Sequence, residues 1–91
     1  MRHTAMSEMG QPEMTTPDQL RAARAILGLS QAEVAEMSGK TTKTIRRAEN
    51  GEAVVAGETI ATIRAALEAR GVEFLPENGG GAGVRLKEKR E

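Results

Sequence analysis

The chain has 91 residues, no cysteine and a single histidine, His3. That allows one small domain with tails and excludes structural disulfides, zinc-thiolate fingers, histidine-based catalytic triads and multi-histidine metal sites. Thirteen Lys and Arg residues offset thirteen Asp and Glu, so any affinity for a polyanion has to come from local clustering and not from net charge.

Residues 1–15 include Gly10 and Pro12 and show no sustained apolar period, so a flexible N-terminal arm is expected there. No apolar run approaches the roughly 20 residues needed to cross a bilayer, and no hydrophobic signal segment opens the chain. A cytoplasmic protein without membrane, metal or cofactor is the resulting expectation.

The compact unit is expected over residues 16–71. Thr16-Pro17-Asp18-Gln19 combines a capping threonine, a proline suited to the first helical position and a glutamine placed to complete a capping box. The helix it starts runs to about Leu27, with Leu20, Ala23 and Leu27 on one face and Gly28 as its stop. Ser30-Gln31-Ala32-Glu33 repeats the capping arrangement and predicts a short second helix over about Gln31–Ser38, with Gly39 as the turn. Thr41 is the next cap, and Ile45 and Ala48 give the third helix a narrow apolar face before Asn50-Gly51 stops it. After a loop at 52–57, Ile60, Ile63 and Leu67 set out a fourth helix to about Arg70, closed by Gly71.

Residues 72–91 change period. Val72–Leu75 and Val84–Lys87 read as short strands around the glycine-rich stretch 76–83, hence a β-hairpin followed by a charged tail. Two isolated strands are marginal in water, so the hairpin either packs on the helices or pairs with a second copy as a dimerisation element. Its rival is a flexible glycine linker.

Lys40, Lys43, Arg46 and Arg47 fall within eight residues that contain no acid, whereas Glu33, Glu36, Glu49, Glu52 and Glu58 lie on either side. On the third helix, Thr42, Lys43, Arg46 and Arg47 span an arc of about 140° at about 100° per residue, while Ile45 and Ala48 point away from its centre. One face can therefore be buried while the other offers long polar side chains to a major groove, where arginine donates to guanine O6 and N7, lysine approaches the same atoms and threonine meets a thymine methyl or phosphate. Arg47 is the first choice for base readout; Arg46 reaches a base or a phosphate, and a solvated basic face is the plain alternative.

The segment Gly28-Leu29-Ser30-Gln31-Ala32-Glu33-Val34-Ala35, then Gly39, then Thr44-Ile45, then Glu49-Asn50-Gly51 closely resembles the Cro/C1-type (XRE) helix-turn-helix family, over about Leu20–Leu67. The resemblance implies a mainly α, lambda-repressor-like DNA-binding domain of four to five helices with a short C-terminal β-hairpin. It implies base contacts from Thr42, Lys43, Arg46 and Arg47, and phosphate contacts from Gln31, Lys40, Thr41, Thr44 and Asn50. Asn50 and Gly51 would bring backbone N–H groups near phosphate or simply stop the helix. Gln31 also matches a glutamine that braces the recognition helix, and Arg24 and Glu49 match a structural ion pair linking the first helix to the end of the third. Glu52 and Gly57 depart from the family pattern, because phage repressors commonly carry basic residues in that loop; weaker backbone affinity is expected. Ala48 is smaller than the usual branched aliphatic.

Two carboxylate pairs, Glu33/Glu36 and Glu49/Glu52, lack a pocket and read as solvated surface, so no enzyme is expected. The partner is double-stranded DNA, since one Phe74 leaves little for stacking on single strands. One helix-turn-helix reads few base pairs, which favours a homodimeric repressor that occludes a promoter at an inverted repeat. The alternative is an antitoxin or adaptor that uses the same fold to bind protein, and a protein partner (a toxin, an anti-regulator or RNA polymerase) stays open.

Overall fold

The computed structural model describes residues 14–89; most of the arm expected over 1–15, with His3, and the last two residues of the tail lie outside the described residues. Four helices and one hairpin follow in chain order: α1 (Pro17–Leu27), α2 (Gln31–Ser38), α3 (Thr42–Glu49), α4 (Gly57–Glu68), β1 (Val72–Leu75) and β2 (Gly83–Leu86).

The first three helices start where hydroxyl caps predict. Thr16 Oγ1 accepts the Gln19 N–H at 3.0 Å while Gln19 Oε1 accepts the Thr16 N–H at 2.9 Å. Ser30 and Glu33 repeat the exchange at 3.0 and 2.8 Å, and Thr41 Oγ1 accepts the Thr44 N–H at 3.1 Å. Each of these helices also closes on the same pair of bonds back to carbonyls of its last turn, made by Gly28 and Leu29 after α1, by Gly39 and Lys40 after α2 and, one residue further out, by Gly51 and Glu52 after α3. At the turn between α2 and α3, Gly39 donates to Glu36 at 3.3 Å and Lys40 to Ala35 at 2.9 Å. Gly39 has φ 70°, a left-handed conformation that a side chain would strain.

Two elements differ from expectation in their bounds. Helix α4 ends at Glu68 and not near Arg70, because Arg70 and Gly71 donate to residues three back, Leu67 and Glu68, both at 3.0 Å; the last turn tightens out of α-helical geometry. Its start at Gly57, inside the expected loop, has Ala56 as a cap without a side-chain bond. The second strand is Gly83–Leu86 and not Val84–Lys87. The antiparallel register pairs Val72 with Leu86, Phe74 with Val84 and Leu75 with Gly83, and beyond it the Lys87 N–H still reaches the Gly71 carbonyl at 2.8 Å.

The hairpin packs on the helices. Val72 and Phe74, at the strand period of two, join Leu20, Ala23, Val34, Ala35, Ile45, Ala48, Ile63 and Leu67 in one buried core, with Val84 and Leu86 packed against it. The opposite sheet face carries a Glu73–Arg85 cross-strand pair at 3.0 Å. Gln19, itself buried, ties α1 to both strands: Nε2 donates to the carbonyls of Leu75 and Gly83 at 3.0 and 2.9 Å. Arg64 of α4 lies 4.8 Å from the Phe74 ring centroid, covering the one aromatic side chain with a cation. Among the described residues no helix is long and apolar enough to cross a membrane.

Candidate nucleic-acid interface

Ile45 has no exposed surface, and Ala48 and Glu49 are buried beside it; these side chains fix one side of α3 against α1 and α2. The opposite side leaves Thr42, Lys43 and Arg46 exposed and Arg47 half-buried, so the four residues expected to meet bases lie together on one outward arc. Lys40, in the turn before α3, extends the same charge. Among the described residues, Lys40, Lys43 and Arg46 make no ion pair, whereas Arg47 Nε stands 3.7 Å from Glu52 Oε1.

The start of α3 suits an anion. Thr41 takes the Thr44 N–H, while the Thr42 and Lys43 amides have no acceptor earlier in the helix, and the positive end of the helix dipole adds to them. Thr41 Oγ1 also donates to Thr44 Oγ1 at 3.0 Å, so its hydroxyl is committed to the cap and Thr44 is the residue of the pair placed to donate outward. Asn50 is exposed, but its backbone N–H donates to Arg46 and Arg47, and that of Gly51 to Ala48. Of the two roles expected for these amides, phosphate contact or helix stop, their hydrogen bonds serve the helix stop, and the Asn50 side chain stays exposed.

Behind this face sits a polar lock. Arg24 donates from Nε to Glu49 Oε2 at 2.7 Å, from Nη2 to Oε1 at 3.0 Å and from Nη1 to the Leu29 carbonyl at 3.1 Å. Gln31 Nε2 donates to the same Glu49 Oε1 at 3.1 Å, so the first residue of α2 braces the last residue of α3. The hydrogen bonds that Arg24 donates to Glu49 raise its pKa above the ordinary value despite partial burial, and the guanidinium stays charged. Arg21, which carried no expectation from the sequence, donates to the Glu49 carbonyl and to Asp18.

The Glu49/Glu52 spacing, read from sequence as solvated surface, divides in two. Glu49 is buried within the lock, because α3 ends at this residue and Gly51, with φ 72°, redirects the chain before Glu52. A residue three further on no longer shares its helix face. Gly51 also passes close to α1, where an added Cβ would stand 3.0 Å from Pro17 Cγ.

A helix-turn-helix family model matches residues 20–74. The chain belongs to the Cro/C1-type (XRE) helix-turn-helix family. The match runs through α4 and into β1, so this helix-turn-helix protein is recognised by its whole core and not by α2 and α3 alone. Its family consists of DNA-binding domains and not of enzymes. Comparison with curated proteins gave no match. Among the described residues no group of three or more His, Asp or Glu side chains is arranged to hold a metal ion.

Proposed function

We propose that this DNA-binding protein is a cytoplasmic, sequence-specific transcriptional repressor that occludes a promoter as a homodimer on an inverted repeat. The observation that carries the reading is the division of α3: Ile45 is sealed in the core while Thr42, Lys43, Arg46 and Arg47 share the outer arc. In this reading those four side chains enter the major groove, with Arg47 on guanine. Gln31, at the open start of α2, Lys40, Thr44 and the Asn50 side chain meet phosphates on either side, with Thr41 beside them at the cap.

A second copy is favoured because a single recognition helix reads few base pairs. The hairpin supplies an edge for it. With Lys87 bonded to Gly71 and the alternation of antiparallel ladders, the backbone groups of Val84 and Leu86 point away from β1, as strand addition requires.

Selection of duplexes from a random library, followed by sedimentation of the full chain with and without the winning duplex, tests both parts. Expected are an inverted repeat with half-site centres about one helical turn apart and a dimer of the free chain. Recovery of no preferred sequence at low ionic strength would sink the regulator reading, and a monomer that binds a single half-site would sink the homodimer.

A further inference from the structure

The two strands of the hairpin are buried unequally. On β1, Val72 and Phe74 are 0% and 6% exposed, and Arg64, which lies over the Phe74 ring, holds the Thr15 hydroxyl at 3.1 Å. Their partners on β2, Leu86 and Val84, reach the same core but stay only half-buried, so the core is left open on the β2 side. The backbone of this strand is open there as well. The Lys87–Gly71 bond sets the alternation of the ladder, so Gly83 and Arg85 direct their backbone groups at β1 while Val84 and Leu86 turn theirs outward. Ala82, just before the strand, continues the outward series, and among the described residues none of these three N–H groups has a backbone partner beyond the hairpin.

We propose that the outer edge of β2 docks a second copy of this chain, antiparallel and in one register: Val84 opposite the copy's Val84, Leu86 opposite its Ala82 and Arg85 opposite its Gly83. The proposal rests on the reading of the protein as a homodimer and names the surface and alignment. Pairing about a two-fold axis requires outward residues to meet outward residues, which leaves few choices. An axis at Arg85 sets Arg85 against itself, and one at Leu86 sets it against Lys87; like charges directly opposite are unfavourable. An axis at Gly83 pairs Leu86 with Gly80 and draws the contact into the loop. With the axis at Val84, Arg85 faces Gly83 and Lys87 faces Gly81, so both cations cross residues without side chains. On the inner face Val84 meets Val84 and Leu86 meets Ala82, large against small, over the half-open part of the core. The edge complements its own copy in charge and in size, and the resulting four-stranded sheet covers the open side of each half with the other.

The chain has no cysteine, so introduced thiols report the register. Gly83 has room for a Cβ, with nothing within 4 Å and no positive φ. In the proposed register Gly83 and the copy's Arg85 form a non-hydrogen-bonded pair with Cα atoms about 4.5 Å apart, within disulfide reach. Each of the two positions lies about 7–8 Å from its own counterpart in the copy, which is too far. Full chains carrying Gly83→Cys, Arg85→Cys or, as a collision control, Glu36→Cys at an exposed position of α2 are sedimented and then equilibrated in a glutathione redox buffer. The mixture of Gly83→Cys with Arg85→Cys is expected to give a covalent dimer well above the control, and neither variant alone to exceed the control. Val84→Pro, which removes an outward N–H that β1 does not use, is expected to sediment as a monomer with unchanged helical circular dichroism. Efficient cross-linking of Arg85→Cys with itself, or a dimeric Val84→Pro, overturns the proposal. A dimer of the unaltered chain without cross-linking in the mixture also overturns it and leaves the homodimer reading in place, whereas a monomeric unaltered chain removes both.

Discussion

Helix α3 carries an arginine–glutamate pair on each of two sides. In the seam against α1, Glu49 is 4% exposed and Arg24 25%; four hydrogen bonds from Arg24 and Gln31 tie the carboxylate and its partner into the fold. On the outer face, Arg47 and Glu52 are 42% and 45% exposed and stand 3.7 Å apart. The chemistry is the same and the consequences are opposite. Where water is excluded, either partner left alone is costly, so the pair acts as a lock. Where water competes, the pair contributes only about 0.2–1 kcal/mol, and its members are free to exchange partners.

The largest effect expected from this contrast is in the seam. Arg24→Ala leaves the Glu49 carboxylate buried with one remaining donor from Gln31, and should cost about 3 kcal/mol of stability, the low end for buried pairs because Arg24 is partly exposed. For a domain of this size that lowers the melting temperature by on the order of 10 °C; a melting curve superimposable on the wild type would break the comparison. Arg47→Ala should do the reverse. Titration of the preferred duplex should show a loss of about 1–3 kcal/mol, concentrated at one symmetric base position, with stability within about 0.5 kcal/mol of wild type. A uniform loss over all sequences would remove Arg47 from base reading.

Gln31 belongs to both sides, and Gln31→Ala sharpens the boundary between them. Losing its bond to Glu49 Oε1 should cost about 1 kcal/mol of stability, while binding to many sequences weakens alike; a change of sequence preference without a stability change would contradict a bracing role. The smallest effect concerns Glu33, a fully exposed carboxylate whose pKa is lowered first by the Ser30 backbone N–H and then by the Ser30 side chain. Because the folded value lies below the unfolded one, its contribution is complete above the ordinary glutamate value of about 4.3 and is lost as pH falls through the folded value. Glu33→Gln, which can still complete the cap, should therefore flatten the fall in melting temperature with acidification. Parallel acid profiles for the two proteins would show that the cap contributes no pH dependence.

The starts and stops of α1, α2 and α3 and the outward face of α3 were legible from residue order, because caps, left-handed glycines and a period of 3.6 act within a few residues of one another. Thr16, Ser30, Thr41, Gly28 and Gly39 each do their work locally, and Ile45 opposite Arg46 and Arg47 needs only helical geometry. Where a side chain's partner lies across the fold, residue order ran out. Gln19 read as a capping residue and also holds carbonyls 56 and 64 residues away; nothing in its neighbourhood announces the second task.

Sequence alone determined which segments are helical, where α1, α2 and α3 begin and end, and which face of α3 carries the cations, since these follow from short-range sterics and hydrogen bonding. Tertiary structure decided that Glu49 is sealed while Glu52 meets Arg47, and that the second strand begins at Gly83. Those outcomes depend on which surfaces exclude water once the elements have packed, and no local pattern encodes that.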